Sequence, residues 1–284
     1  MKKRSTKEIK LQAKKALQGH VGTVLLGLLA VYGLNMLGTI LSTNLFSGTS
    51  PLDLVLSEVF MLVVSLIVGI ISAGFGYMLL NISRGKEFSL GDLGYFFKNQ
   101  PDRVIIAGFV LAVIQIVTAI PYYYVSFTTD PGLTVDSQIK WLSMTLGLLA
   151  VSTLLNFLIS LPFAMTYFLM ADDTELGGLQ ALKESARLMK GNLWRYVKLN
   201  LSFVPLLLLS VFTFYIALFW IMPYMEMSMV AFYRDLNGEL DYRLPGNEGV
   251  GSFHNWTNDS GDGYDTENND GYRNDSEDDY NSEA

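Results

Sequence analysis

Residues 199–233 run for thirty-five positions with a single formal charge, Glu226. As one straight helix this stretch would be roughly 50 Å long at about 1.5 Å per residue. The hydrocarbon core of a bilayer is only about 30 Å thick. The stretch is too long for one straight span and too apolar for a helix facing water. It must bend or fold into two spans, and either way Glu226 falls at membrane depth.

Four earlier blocks carry no charge at all: 21–46, 59–82, 104–127 and 141–171. Each exceeds the roughly 20 residues that a spanning helix needs. The last is long for one helix, and Pro162 is expected to kink it. With 50% hydrophobic residues and a mean hydropathy of +0.31, the composition is that of an all-α, multi-span membrane protein. The charged N-terminal region is long, and the uncharged run behind it reaches from 21 to 52. That is beyond the apolar region of a cleaved signal, so the segment is expected to be retained.

Orientation follows from where Lys and Arg fall. Residues 1–20 hold seven, 83–103 hold four and 172–198 hold five, whereas 47–58 hold none and 128–140 hold only Lys140. The N-terminus and the two basic connections are therefore expected in the cytoplasm. If 199–233 spans once, the C-terminus is outside; if it spans twice, over about 196–214 and 216–234, the C-terminus returns to the cytoplasm. The two-span reading is favoured, although Thr213-Phe214-Tyr215 lacks the Gly or Asn that usually marks a turn.

A weak repeat supports it. Ser5-Thr6-Lys7-Glu8 fits a capping box, followed by Ile9, Ala13, Ala16 and Leu17 on one helical face and a stop at Gly19-His20. Residues 174–190 repeat this with Leu179, Leu182, Ala186 and Met189 and a stop at Gly191-Asn192; residues 90–98 are a shorter version. The pattern predicts three hairpins, six spans in all, each preceded by an amphipathic helix at the cytoplasmic interface. Residues 1–236 form this membrane domain, with a net charge of +4. Residues 237–284 have a net charge of −11 and read as an acidic, disordered tail.

Several segments together resemble the bacterial membrane family called domain of unknown function 975. They are Ala16-Leu17-Gln18-Gly19-His20, Ser83-Arg84-Gly85, Ala171-Asp172-Asp173, Ala181 to Ser185, Leu188 to Trp194, Leu201-Ser202-Phe203, and Pro223 to Glu226 with Phe232-Tyr233. The resemblance covers roughly 1–236 and leaves out the tail. It implies a multi-span inner-membrane protein of bacteria and no established activity.

Glu226 is the first candidate for chemistry, because an ionisable group inside a span is costly and usually faces the bundle interior. No Lys or Arg falls within these apolar blocks, so its expected partners are the mid-span amides Asn35, Gln115 and Asn156, or a tyrosine from 122–124. Those amides also serve as glue between helices. Ser65, Gly69 and Ala73 form a small-residue face for close packing within the monomer or in a homodimer. Arg187, Lys190, Arg195 and Lys198, with Trp194, read as a cluster facing the lipid of an anionic inner leaflet.

No cysteine and only two histidines leave no thiolate or all-histidine metal site, and no nucleotide, metalloprotease or nucleophile motif is present. No cofactor, catalytic residue or nucleic-acid partner is expected. The reading is a non-enzymatic scaffold or accessory component of the cell envelope, in the plasma membrane, with a possible membrane-protein partner. The alternative is a small transporter or export component with a polar cavity around Glu226.

Overall fold

A computed structural model describes residues 3–47 and 50–241, and among these the chain forms helices and no strand. The expected acidic tail lies outside the described residues, apart from its first few positions.

Helix α1 (Thr6–Leu17) starts at the expected capping box. The Ser5 hydroxyl accepts from the Glu8 amide at 3.3 Å, and the Glu8 carboxylate accepts from the Ser5 amide at 2.7 Å. Ile9, Ala13 and Leu17, four residues apart, are its buried face. Helices α2 (Val21–Leu45) and α3 (Pro51–Arg84) then form a hairpin. Helix α3 starts eight residues before the charge-free block. Ser50 caps it by accepting from the Asp53 amide at 3.2 Å, and Pro51 occupies the first turn, where no amide hydrogen is needed. It is the central helix, packed against α1, α2 and the later helices Tyr95–Lys98, Pro101–Thr128, Thr166–Asp172 and Leu218–Leu236.

A short turn over 90–94 and helix α4 (Tyr95–Lys98) fold back onto α3. Gly74 permits this approach, since a Cβ there would lie 2.2 Å from the Leu93 carbonyl oxygen. Helices α5 (Pro101–Thr128) and α6 (Val135–Ser160) make a second hairpin. The expected kink at Pro162 is a full break: a single turn over Leu161–Phe163 separates α6 from α7 (Thr166–Asp172).

Helix α8 (Gly178–Met189) repairs that break. The fully buried Ser185 hydroxyl donates to the Pro162 carbonyl at 2.8 Å and accepts from the Met165 amide at 3.1 Å. Two backbone groups left open at the break are thus satisfied by one side chain. The buried face of α8 is Gly178, Ala181, Leu182, Ser185 and Met189. This corrects the expected stripe, because Leu179 is 62% exposed. The cause is the close approach of α8 to α5. A Cβ on Gly178 would sit 2.2 Å from the Arg103 carbonyl oxygen, so the helix turns its smallest residue to that contact.

The stretch 199–233 is resolved by a break and a reversal. Helices α9 (Leu193–Leu201) and α10 (Val204–Phe212) are separated at Ser202-Phe203, just before Pro205. The Lys10 ammonium donates to the free Ser202 carbonyl at 2.9 Å and lies 3.7 Å from the Phe203 ring centroid. Burial there pushes the Lys10 pKa below its ordinary value. The chain reverses at 213–217. The Tyr215 amide donates to the Ser210 carbonyl at 2.8 Å and the Phe214 amide to the Val211 carbonyl at 3.3 Å. That is a Schellman motif built without glycine. Phe214 and Tyr215 hold φ of 50° and 64°, a strained conformation for residues with a Cβ. Helix α11 (Leu218–Leu236) returns, with α1 packed along it in the opposite direction.

Five helical stretches are long and apolar enough to cross a membrane: Val21–Leu45, Leu52–Arg84, Pro101–Ser126, Val135–Asp172 and Leu193–Phe212. Helix α11 is different in kind, since ten of its nineteen residues are buried inside the protein.

Candidate functional site

Glu226 lies on α11 and faces a cavity of about 380 Å³. Its walls come from α2 (Leu28, Val31, Tyr32), α3 (Ser72, Phe75, Gly76, Leu79), the α7 region (Ala164, Tyr167, Phe168), α9 (Tyr196, Asn200) and α11 itself (Met225, Met229). Tyr32 and Tyr196 are close enough to interact electrostatically with the carboxylate. No hydrogen bond or ion pair joins Glu226 to another described residue. Lys10, whose backbone carbonyl accepts from Tyr224 on the same helix as Glu226, turns its ammonium to Ser202 and Phe203.

The amides expected around Glu226 are elsewhere. Asn35 donates to the Val31 carbonyl of its own helix at 3.4 Å. The Gln115 side chain is exposed on α5. Asn156 donates to the Thr118 hydroxyl at 3.2 Å and joins α6 to α5. Of the tyrosines, Tyr123 donates to Glu58 at 2.6 Å, a link between α5 and α3. The four residues expected to form one polar site are therefore dispersed. Tyr32, Tyr167 and Asn200, which the sequence did not single out, line the cavity in their place, together with Tyr196, which reads in the sequence as an aromatic neighbour of the basic cluster. Gly69, on the expected small-residue face, receives Tyr167, and Gly76, offset beside that face, receives Phe168.

The basic cluster also divides. Trp194 is 63% exposed, Arg187 projects outward with Glu184 at 3.6 Å, and Lys190 and Lys198 are exposed. The Lys198 ammonium lies 5.5 Å from the Trp194 ring. Arg195 departs from them. Its guanidinium turns inward and donates to Asp235 at 2.5 Å, to the Arg4 carbonyl at 2.9 Å and to Asn192 at 3.1 Å. A carboxylate only 1% exposed outcompetes the surface for that arginine.

Asp235 belongs to a network of charges that closes one end of the helix bundle. Arg4 reaches Asp235 at 3.2 Å, Asp241 at 2.9 Å and the Leu240 carbonyl at 2.5 Å. Arg84 grips Asp172 with two bonds, 2.5 and 2.9 Å, and Glu239 with two more, 2.5 and 3.2 Å. Tyr233 donates to Asp172 at 2.6 Å. Arg234 binds Glu239 at 2.8 Å and both oxygens of Ser83. The ends of α3, α7 and α11, the start of α9 and the segment before α1 are tied together here. Paired forks of this kind fix orientation as well as distance.

Among the described residues no group of three or more His, Asp or Glu is placed to hold a metal ion. No curated protein and no solved structure matches the chain. The family model described as "Protein of unknown function (DUF975)" matches residues 1–239, a span that takes in every described helix, the cavity and the ion-pair network apart from Leu240 and Asp241, and the chain belongs to that family.

Proposed function

We propose that this protein is a non-enzymatic scaffold or accessory component of a bacterial cell envelope, a six-span protein of the plasma membrane with both ends in the cytoplasm. The observation that carries this reading is the ion-pair network. It binds the segment before α1 to the segment after α11, so the two described ends of the chain meet on one side. That meeting supports an even number of crossings, and the Lys/Arg distribution supports the cytoplasmic side.

The base tied together by these ion pairs presents Leu179, Arg187, Lys190, Trp194 and Lys198 outward. Attraction of such basic groups to anionic lipid is about 1 kcal/mol each near the surface. Exposed Leu179 and Trp194 add apolar area that a headgroup layer or a partner protein would cover. Photo-crosslinkers placed at Leu179 and Trp194 in native membranes test the scaffold reading. A discrete protein adduct is expected; lipid adducts alone from both positions would contradict it.

A second reading, a small transporter or export component, rests on one observation: Glu226 faces a cavity without a partner among the described residues. Substrate flux in proteoliposomes that disappears in Glu226→Gln would favour it over the scaffold.

A further inference from the structure

We infer that the Glu226 cavity is a binding site for a hydrophobic organic monocation, an ammonium-type head carrying apolar substituents. The inference deepens the second reading above and rests on it only for the idea that the cavity is used.

A carboxylate at membrane depth is expensive unless it is paired, metal-bound or protonated. Here the charged side chains that might have paired with it are already committed. Lys10 is bound to the Ser202 carbonyl and the Phe203 ring. Arg84, Arg195 and Arg234 are each bound to other carboxylates. The walls supply what a soft cation needs. Tyr32, Phe75, Tyr167, Phe168 and Tyr196 surround the cavity with aromatic rings, whose faces attract cations. A compact, strongly hydrated metal ion would find one carboxylate and too few oxygen ligands to replace its water. A weakly hydrated organic cation loses little on entry and gains both the charge and the ring faces. The position agrees with this chemistry. Eight residues separate Glu226 from Arg234 in the ion-pair network, so the carboxylate lies about 12 Å along α11 from the charged base. A solute that partitions into a membrane with its charge near the headgroups would reach that depth.

The test uses the full chain in lipid nanodiscs and radiolabelled benzyltrimethylammonium, with neopentylbenzene as its neutral isostere. Saturable binding is expected, displaced by unlabelled benzyltrimethylammonium and not by neopentylbenzene. Glu226→Gln should weaken it by about tenfold or more. Ser72→Phe fills the cavity from α3 with Glu226 intact and should abolish it. No saturable binding by the wild-type chain would overturn the proposal. So would unchanged affinity in a folded Glu226→Gln protein, equal displacement by the neutral isostere, or retained binding in Ser72→Phe. Binding without flux in proteoliposomes keeps the site and discards the transporter reading. Flux without Glu226-dependent binding discards the site.

Discussion

The two ends of this helix bundle are held together by different forces. At the ion-paired end, α11 is enclosed by α1, α2 and α3, and Asp172, Asp235 and Glu239 are each gripped by arginine. At the opposite end the α5–α6 hairpin is nearly bare. Helix α6 buries Thr145 and Ser152, while Leu142, Leu146, Leu149, Leu154 and Leu158 point away from the protein. Single hydrogen bonds join neighbours there, such as Asn156 to Thr118 or Ser42 to Ser57 at 2.8 Å. The first end resembles the interior of a water-soluble protein. The second depends on lipid to cover its apolar surface, and lipid gives helices little reason to prefer each other to the bilayer. Stability should therefore be concentrated at the ion-paired end.

The largest effect should come from Asp235→Ala, which leaves Arg4 and Arg195 without their shared carboxylate. A loss of about 3–5 kcal/mol is expected for breaking one side of a buried pair, seen as a large drop in the unfolding midpoint of the purified protein. An Asp235→Ala midpoint equal to wild type would mean that the network contributes nothing.

Gly178→Leu comes next. The new side chain would collide with the α5 backbone at Arg103, and overpacking of this kind costs about 1–3 kcal/mol or more. Faster proteolysis between α7 and α8 is the expected sign that α8 has been pushed off. Ser185→Ala should cost about 1–3 kcal/mol, because two backbone groups at the Pro162 break lose their partner together. Restoration by Ser185→Thr and not by Ser185→Val would assign the effect to the hydroxyl.

The smallest effect belongs to the bare end. Asn156→Leu removes the link to Thr118 and should cost only about 0.6 kcal/mol. If it destabilised the protein as much as Asp235→Ala, the contrast between the two ends would be false.

Features set by near neighbours were legible in the sequence. The Ser5–Glu8 capping box is a four-residue pattern, and the structure has it. Length demanded a bend or a reversal near Thr213-Phe214-Tyr215, and the repeat favoured the reversal; it is made by backbone bonds that need no glycine, only tolerance of two strained residues. The partners of Glu226 were not legible. Helices α2, α5 and α6 are apolar on every side, so no periodic pattern tells which face turns inward. Gln115 is exposed on α5, and Asn35 spends its amide on the Val31 carbonyl of its own helix. Arg195 read as a surface residue because its neighbours Trp194 and Lys198 are. The acid that binds it lies 40 positions further on, and Asp172 lies 88 from Arg84. Pairing over such separations is a property of the fold, which a pattern of neighbouring residues does not carry.

If the chain returns through α11, its two ends share one side of the membrane. The natural sequence has no cysteine, which makes single introduced cysteines clean reporters. Lys7→Cys, Leu133→Cys and Ser252→Cys are to be probed in intact cells with a membrane-impermeant maleimide. Labelling is predicted at position 133 alone, with 7 and 252 reacting only after the membrane is permeabilised. Labelling of position 252 in intact cells, with 7 still protected, would contradict the account.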